Sequence, residues 1–247
     1  VWAQVLQFTS NSYIWAYWGN MGVTSAPAVY TTNGATWDST FAGVWHLSSS
    51  NAAGNFPDST ASGRAATNNS TTGVAGQIGN ARAFNGEQWL GMSSLSITGQ
   101  ITASAWVYSG NFNQDGFIIG KNPVNNQWEL FFQADSGGIL KWRGGGSENT
   151  VFCSKPSNSA WHLVAGEQTN VNGSLYMDGA LAATGTSSAM GNGSGPLEIG
   201  RYGGGTPGFY FSGYIDEVRI ENVVRSSNWL WSCFMNQASN STFNVSG

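Results

Sequence analysis

Residues 161–184, WHLVAGEQTNVNGSLYMDGALAAT, decide the fold class. Asp178–Gly179 stands between the runs SLY and LAAT. An Asp-Gly pair in that setting is the strongest short-range hairpin signal, because both turn positions need positive φ. The same pattern recurs in ITASAWVYSG (101–110), QWELFFQAD (127–135), GILKWRGG (138–145), GPLEIGRYG (195–203) and SGYIDEVRI (212–220). Each is a short strand-like run bounded by Gly, Asn, Asp or Ser. One segment reads as a helix, SSNWLWSCFMNQ at 226–237. Ser226 or Ser227 can cap it, and Trp229 and Cys233, like Leu230 and Phe234, fall four apart. Many strands and one late helix predict an all-β fold: a two-sheet antiparallel jelly-roll sandwich with one short C-terminal helix.

The 247 residues suffice for a sizeable core, and 40% hydrophobic with 13% aromatic content is too apolar for disorder. Only 9% of residues are charged, against a usual quarter, and Gly, Ser, Asn and Thr take their place. A net charge of -4 without clustered Lys and Arg excludes a nucleic-acid partner. No apolar run approaches the roughly 18 residues that span a bilayer, so membrane insertion is not expected. A surface of small polar groups and aromatics suits a neutral hydrogen-bonding partner such as a glycan. The start at Val1, without Met or signal pattern, reads as a processed or excised piece. Asn-x-Ser/Thr triplets at Asn69, Asn172, Asn192, Asn240 and Asn244 are what chance provides in an Asn-rich chain. Cys153 and Cys233 cannot build a zinc site, since neither His46 nor His162 lies at ligand spacing. One disulfide and two buried thiols both fit the count; the disulfide is the expectation carried forward.

Along the chain, WAQVLQF (2–8) and SYIWAYWG (12–19) read as strands before a polar loop, and residues 48–83 read as a long surface excursion. From there the motifs FAGVWHLSSS, FPDSTASGRAAT, GQIGNARAFNGEQWL, ITASAWVY, IIGKN, WHLVAGEQTN, GSLYMDGALAAT, LEIGRYGG and FSGYIDEVRIENVVRS follow in order. This succession resembles a laminin-G-like domain of the concanavalin-A-like lectin/glucanase superfamily, over about residues 41–237. IWAYWGNMGVTSA resembles the end of an uncharacterised bacterial surface-protein domain found upstream of such modules. The expected division is therefore a remnant over 1–40 packed on a jelly roll over 41–247.

Within GYIDEVRI, strict alternation puts Asp216 on one face with Val218 and Ile220, and Ile215, Glu217 and Arg219 on the other. A carboxylate on an apolar face needs a cation or several N–H donors. The resemblance implies calcium, held by Asp216 and by backbone carbonyls near Trp45 (Val44 to His46) and Gly86 (Asn85 to Gly86), with Asp58 as a candidate for a loop ion. The alternative is that Asp216 caps a turn through backbone N–H groups. Glu217–Arg219, and Glu221 with Arg225, read as solvated surface charges.

Hydrolysis of a glycan would need two carboxylates across a cleft. The Glu-x-Asp-x-x-Glu type pattern of jelly-roll glucanases is missing; Glu129, Glu167 and Glu198 stand singly on separate strands. If the chain is an enzyme, Glu129 and Glu167 are the residues to carry it. Of the twelve tryptophans, Trp45, Trp106 and Trp161 match positions the family buries. Trp89, Trp128, Trp142, Tyr202 and Tyr210, set among amides and glycines, are the candidates for stacking on sugar rings. The leading expectation is an extracellular or cell-surface, calcium-stabilised, non-catalytic carbohydrate-binding module. A polysaccharide-active hydrolase is the second, and an adhesin or fibre subunit assembling through its N-terminal strands the third.

Overall fold

A computed structural model describes residues 33–121, 127–145, 149–191, 195–203 and 208–238. The strands expected at 2–8 and 12–19, the assembly expected through them, and the triplets at Asn192, Asn240 and Asn244 lie outside these residues. The described strands are β1 (Phe41–Trp45), β2 (Thr67–Asn69), β3 (Thr72–Ala75), β4 (Asn80–Asn85), β5 (Trp89–Met92), β6 (Gln100–Tyr108), β7 (Gly116–Lys121) and β8 (Trp128–Gln133). They continue as β9 (Ile139–Gly144), β10 (Thr150–Ser154), β11 (Trp161–Thr169), β12 (Asn172–Met177), β13 (Ala180–Thr186), β14 (Leu197–Ile199) and β15 (Ser212–Glu221), and the helix α1 spans Ser227–Ala238.

All described pairings are antiparallel, and they build the two-sheet jelly-roll sandwich that the alternation predicts. One sheet runs β13-β12-β11-β6-β15-β4-β3, with β1 also on β15; the other runs β10-β9-β8-β7-β14-β5-β2. The β12–β13 turn is the Asp178–Gly179 hairpin, at φ 52° and 77°. Residues 48–83, expected as a surface excursion, instead supply the edge strands β2 and β3. Small polar residues that cannot fill a core suit an edge. Phe56 of this segment reaches the core.

Trp45, Trp128 and Trp142 are fully buried between the sheets. Trp128 and Trp142 stack at 5.9 Å, and Trp142 Nε1 donates to Gln168 Oε1 at 2.9 Å. Their expected place on a sugar-binding surface is thereby corrected. Both occupy inward positions of β8 and β9, and the Trp142 ring lies so close over Gly166 of β11 that no Cβ fits there. Trp161, expected in the core, is only partly buried on the outside.

β15 breaks the alternation. Ile215, Val218 and Ile220 all face the core, because a bulge between Asp216 and Arg219 inserts one residue. Glu217 adopts φ 49° there. The bulge falls where the strand changes neighbour: β4 pairs up to Ile215 and β1 pairs from Val218. Asp216 therefore does not share a face with Val218 and Ile220. Glu217 and Arg219, expected in solvent, are buried; Glu217 bonds His46 Nδ1 at 2.8 Å and Arg219 at 3.1 Å. Glu221 is likewise buried against Arg225 rather than exposed.

Helix α1 is capped by Ser226, whose Oγ accepts from Trp229 N at 3.2 Å. It lies on the outer face of the eight-stranded sheet. Leu230 packs with Ala165 and Tyr176, and Phe234 stacks on Trp106 at 5.7 Å. Trp229 and Trp231 point outward instead. The expected Cys153–Cys233 disulfide is not present; both cysteines are free. Cys153 sits on an edge strand of one sheet and Cys233 on the helix outside the other. Sheet spacing alone, about 10 Å, exceeds the reach of a disulfide. Burial pushes the Cys153 thiol up to about 11 and raises that of Cys233.

Two outcomes follow from this packing. Trp142→Ala should cost about 3–5 kcal/mol in urea denaturation, and a loss below about 1 kcal/mol would remove the ring from the core. Protein unfolded without reductant should take up alkylating reagent at both Cys153 and Cys233. An intact mass showing no alkylation would restore the disulfide.

Candidate functional site

A sandwich has two outer faces, and α1 covers much of one. The outer face of the seven-stranded sheet carries the site. Inward positions on β8 and β9 are Trp128, Leu130, Phe132, Leu140 and Trp142. The alternate residues Glu129, Phe131, Gln133, Lys141 and Arg143 therefore face outward. Phe117 of β7 stacks face to face on Phe131 at 4.6 Å and 4°, and the Arg143 guanidinium lies 5.2 Å from the Phe131 ring centroid, so both rings are buried in the base of the site. Tyr202 and Phe209 form a wall, 5.1 and 6.1 Å from Phe117. They come from one short loop closed by the Tyr202–Gly208 bridge, and Phe209 is 55% exposed. Asp115, Gln133, Asp135, Lys141, Arg143 and Thr150 are the polar residues lining this cleft of about 470 Å³.

Beside this cleft, one transverse row of partners crosses the whole sheet: Thr67, Gly91, Glu198, Gly120, Glu129, Arg143 and Thr150. Glu198 and Glu129 flank Gly120, whose missing side chain makes room for Glu129 Cγ, 3.0 Å from where a Cβ would stand. Each carboxylate has an arginine. Arg143 bonds Glu129 through Nε at 2.6 Å, and Arg201 bonds Glu198 Oε1 at 2.6 Å. Glu198 Oε2 is buried with no hydrogen-bond partner among the described residues. Burial pushes Glu129 up to about 7, against the opposing pull of Arg143. Burial and the Glu129 charge also raise Tyr202.

Trp89 lies on this same face, lining a cleft of about 800 Å³ with Asn69, Thr67, Arg64 and Glu198. The Arg201 guanidinium sits 3.4 Å from its ring centroid. Tyr210 is partly buried and hydrogen-bonds Arg201. Of the five aromatic candidates, the structure thus gathers Trp89, Tyr202 and Tyr210 on one face and withdraws Trp128 and Trp142. Phe117 and Phe131 were missed because phenylalanines in strands read as core, and Phe209 was missed beside Tyr210 in the loop. The outward parity of Phe131, one residue from Trp128–Leu130–Phe132, was the signal that could have found them.

Glu129 and Glu167 do not form a pair. Glu167 lies on the outer face of the other sheet, with Thr102 Oγ1 at 3.5 Å, and burial raises its pKa. Glu198, not Glu167, is the carboxylate that shares a face with Glu129.

The calcium ligands expected from the resemblance do not converge. Asp216 Oδ2 accepts from Ile78 N at 2.9 Å and Oδ1 from Glu217 N at 2.9 Å, as a cap on the β3–β4 turn. Burial, with the Glu217 charge adding to it and the backbone N–H groups opposing, pushes this carboxyl up to about 7. Gly86 follows the far end of β4, about 16 Å away along the strand at the usual rise per residue. Val44 O accepts from Ser59 N at 2.8 Å, and Trp45 pairs with Val218. Asp58 is occupied by four donors: Val44 N, Thr60 N, Thr60 Oγ1 and Arg64 N at 2.9–3.1 Å. Among the described residues no group of three or more His, Cys, Asp or Glu could hold a metal ion. The residues present do not fit the expected set.

A chain of bonds links Ser157 Oγ to His162 Nε2 at 2.9 Å and His162 Nδ1 to Asp178 Oδ2 at 2.7 Å. Asp178 Oδ1 also accepts from Leu163 N at 3.0 Å, and His162 Nε2 lies 3.1 Å from the Ser157 carbonyl. These bonds clamp the β12–β13 hairpin to β11.

The sequence profile of a laminin-G family, described as "Concanavalin A-like lectin/glucanases superfamily", matches residues 84–230. No curated protein matches the sequence. Among solved structures, domain 4 of an extracellular GH43 arabinanase from Geobacillus stearothermophilus, in complex with arabinotriose, superposes with TM-score 0.62 at 18% identity, covering 78% of this chain and 97% of that one. The botulinum neurotoxin serotype G binding domain superposes with TM-score 0.64 at 11% identity over 81% of this chain and 52% of that one. A heptameric SAP-like pentraxin from Limulus polyphemus gives TM-score 0.51 at 16% identity over 62% and 80%. At these identities the likeness is one of fold. Among the described residues no helix is long and apolar enough to cross a membrane.

One pH dependence follows from the buried row. Glu129 holds its proton more firmly folded than unfolded, since its pKa rises from 4.5 to about 7. Its contribution to stability is therefore present below about pH 4.5 and lost as pH rises through about 7. Arg143, Tyr202, Glu198 and Arg201 are the charged or titratable groups around it. Between about pH 5 and pH 8 the wild type should lose on the order of 2 kcal/mol relative to Glu129→Gln. Parallel stability curves for the two proteins would contradict the shift.

Proposed function

Since the chain belongs to the laminin-G family of the concanavalin A-like lectin/glucanase superfamily, we propose that it is a carbohydrate-binding module of a secreted or surface protein. The observation that carries this reading is the cleft walled by Tyr202 and Phe209 on the outer sheet face that α1 leaves open. Phe209 and Tyr202 are its solvent-reaching rings, backed by the buried Phe117–Phe131 stack. Aromatic faces suit the C–H faces of sugar rings, and Gln133, Lys141 and Thr150 at the rim suit hydroxyl groups. The net charge of -4 favours a neutral polymer over a polyanion. The arabinotriose held by the arabinanase domain of similar fold supports a short run of neutral sugars as the ligand. A polymeric glycan of this kind supports an extracellular setting for the module.

A second reading, polysaccharide hydrolysis, draws on Glu129 and Glu198 flanking Gly120. Both carboxylates are buried and arginine-paired, which suits a rigid sheet better than proton transfer to a substrate. Binding without turnover is the reading we favour.

Tyr202→Ala with Phe209→Ala should reduce retention on insoluble arabinan or another neutral polysaccharide by about tenfold or more, with melting temperature nearly unchanged. Retention equal to wild type would remove the cleft as the site. Reducing sugar released by wild type but not by Glu129→Gln or Glu198→Gln would establish the hydrolase instead.

A further inference from the structure

The opposite side of the sandwich carries a second row of rings. Trp161 of β11 is register partner of Tyr108 of β6, and Tyr108 is partner of Tyr214 of β15. Tyr108 and Tyr214 stack at 5.1 Å and 10°, with Trp161 5.8 and 6.3 Å away. All three are partly buried. Across two strand spacings they form a platform about 10 Å long. Trp106, two residues before Tyr108 on the same face of β6, is covered by Phe234 of α1. Among the described residues no ring of α1 stacks on this row, whose rings pack against one another. Trp89, Trp37 and Trp229 each have an arginine guanidinium over the ring, whereas none of these three does among the described residues.

Next to Tyr108 and Tyr214 opens a cleft of about 490 Å³, lined otherwise by Asn85, Ser109, Asn111, Gln114 and Ser212 among small residues and Phe84. No lining residue is charged. The polar floor is fixed in advance. Gln114 Oε1 accepts from Ser212 N at 2.8 Å, Gln114 Nε2 donates to Ser212 O at 2.9 Å, and Ser109 Oγ donates to Ser212 O at 2.9 Å. Rigid amides and hydroxyls beside rings that keep part of their surface in solvent match a ligand with both an apolar face and many hydroxyls, and the missing charge excludes selection for an anion or a cation.

We propose that the Trp161–Tyr108–Tyr214 row and its cleft are a second site for a neutral glycan. Its position opposite the first lets one module bridge two polymer chains. The bridging half of this inference rests on the carbohydrate-binding reading; the second site stands on its own rings and cleft. Two sites on one rigid body raise avidity for a polymer without new contacts at either.

The test uses the full chain in native gels containing linear arabinan, mixed-linkage β-glucan or polygalacturonate, one at a time, and light scattering of the same polymers in solution. Wild type should be retarded by at least one neutral polymer and raise its scattering, with no site-dependent retardation by polygalacturonate. Trp161→Ala with Tyr214→Ala should lower the association constant about tenfold and abolish the rise in scattering while the first site still binds. Asn85→Ala, which leaves the rings intact, should weaken retardation in the same direction and keeps the test available if the double variant unfolds. Retardation and scattering equal to wild type in these variants would overturn the second site, leaving the first untouched. Loss in these variants with none in Tyr202→Ala and Phe209→Ala would sustain the second site and overturn the first. No retardation of wild type by any neutral polymer would overturn both.

Discussion

A two-sheet sandwich exposes two outer faces, and this chain has one described helix with which to cover them. α1 settles on the eight-stranded sheet through Leu230 and Phe234, and that choice determines which outer surface stays open to solvent. Aromatic rings on the covered part, such as Trp106, become core. Rings on the uncovered parts, Phe209 and Tyr202 on one side and Trp161 and Tyr214 on the other, stay in reach of solvent. A helix so short cannot span a whole sheet face, which is why part of the eight-stranded sheet remains bare.

The inner faces impose a second constraint. Inward positions filled by Trp45, Trp128, Trp142 and Phe132 leave no room for extra atoms, as the tight approach of Trp142 to Gly166 shows. Charge is therefore pushed outward and, where loops or neighbours cover it, paired. Glu129 with Arg143, Glu198 with Arg201, Glu221 with Arg225 and Glu217 with His46 and Arg219 are four instances of one solution. Ion pairs of this kind add little net stability, since desolvation offsets the attraction, but removing one partner is expensive. They hold a polar outer row in place on the sheet.

β15 shows what such pairing permits. The strand pairs β4 over one half and β1 over the other, and the edge changes hands at a bulge with Glu217 at positive φ. Strain of that type persists only where surroundings over-determine it. Here the bonds from Ile78 to Asp216 and from Glu217 to His46 do so. Simple alternation misassigned the faces because it carries no term for an inserted residue.

The hairpin at Asp178–Gly179, the strand runs, the capped helix at Ser226 and the family were all legible in the sequence, because turn chemistry, capping and alternation are local and act through covalent neighbours. Tyr202, Tyr210 and Trp89, singled out for their amide and glycine neighbours, do share one outer face, Trp89 at the start of β5 and the tyrosines beside the Tyr202–Gly208 bridge. The fate of Trp128 and Trp142 was not legible: they have the same amide-rich neighbours as surface rings, and only the opposing sheet buries them. The partnership of Glu129 with Glu198 rather than Glu167 depended on strand order, with β14 and β8 both next to β7 and β11 in the other sheet. The cysteines were separated by the thickness of the sandwich, a distance no spacing in the sequence encodes. Local bonding chose the elements; which faces met, which stayed open and which charges became neighbours were decided by long-range packing, where residues far apart in the chain compete for the same space.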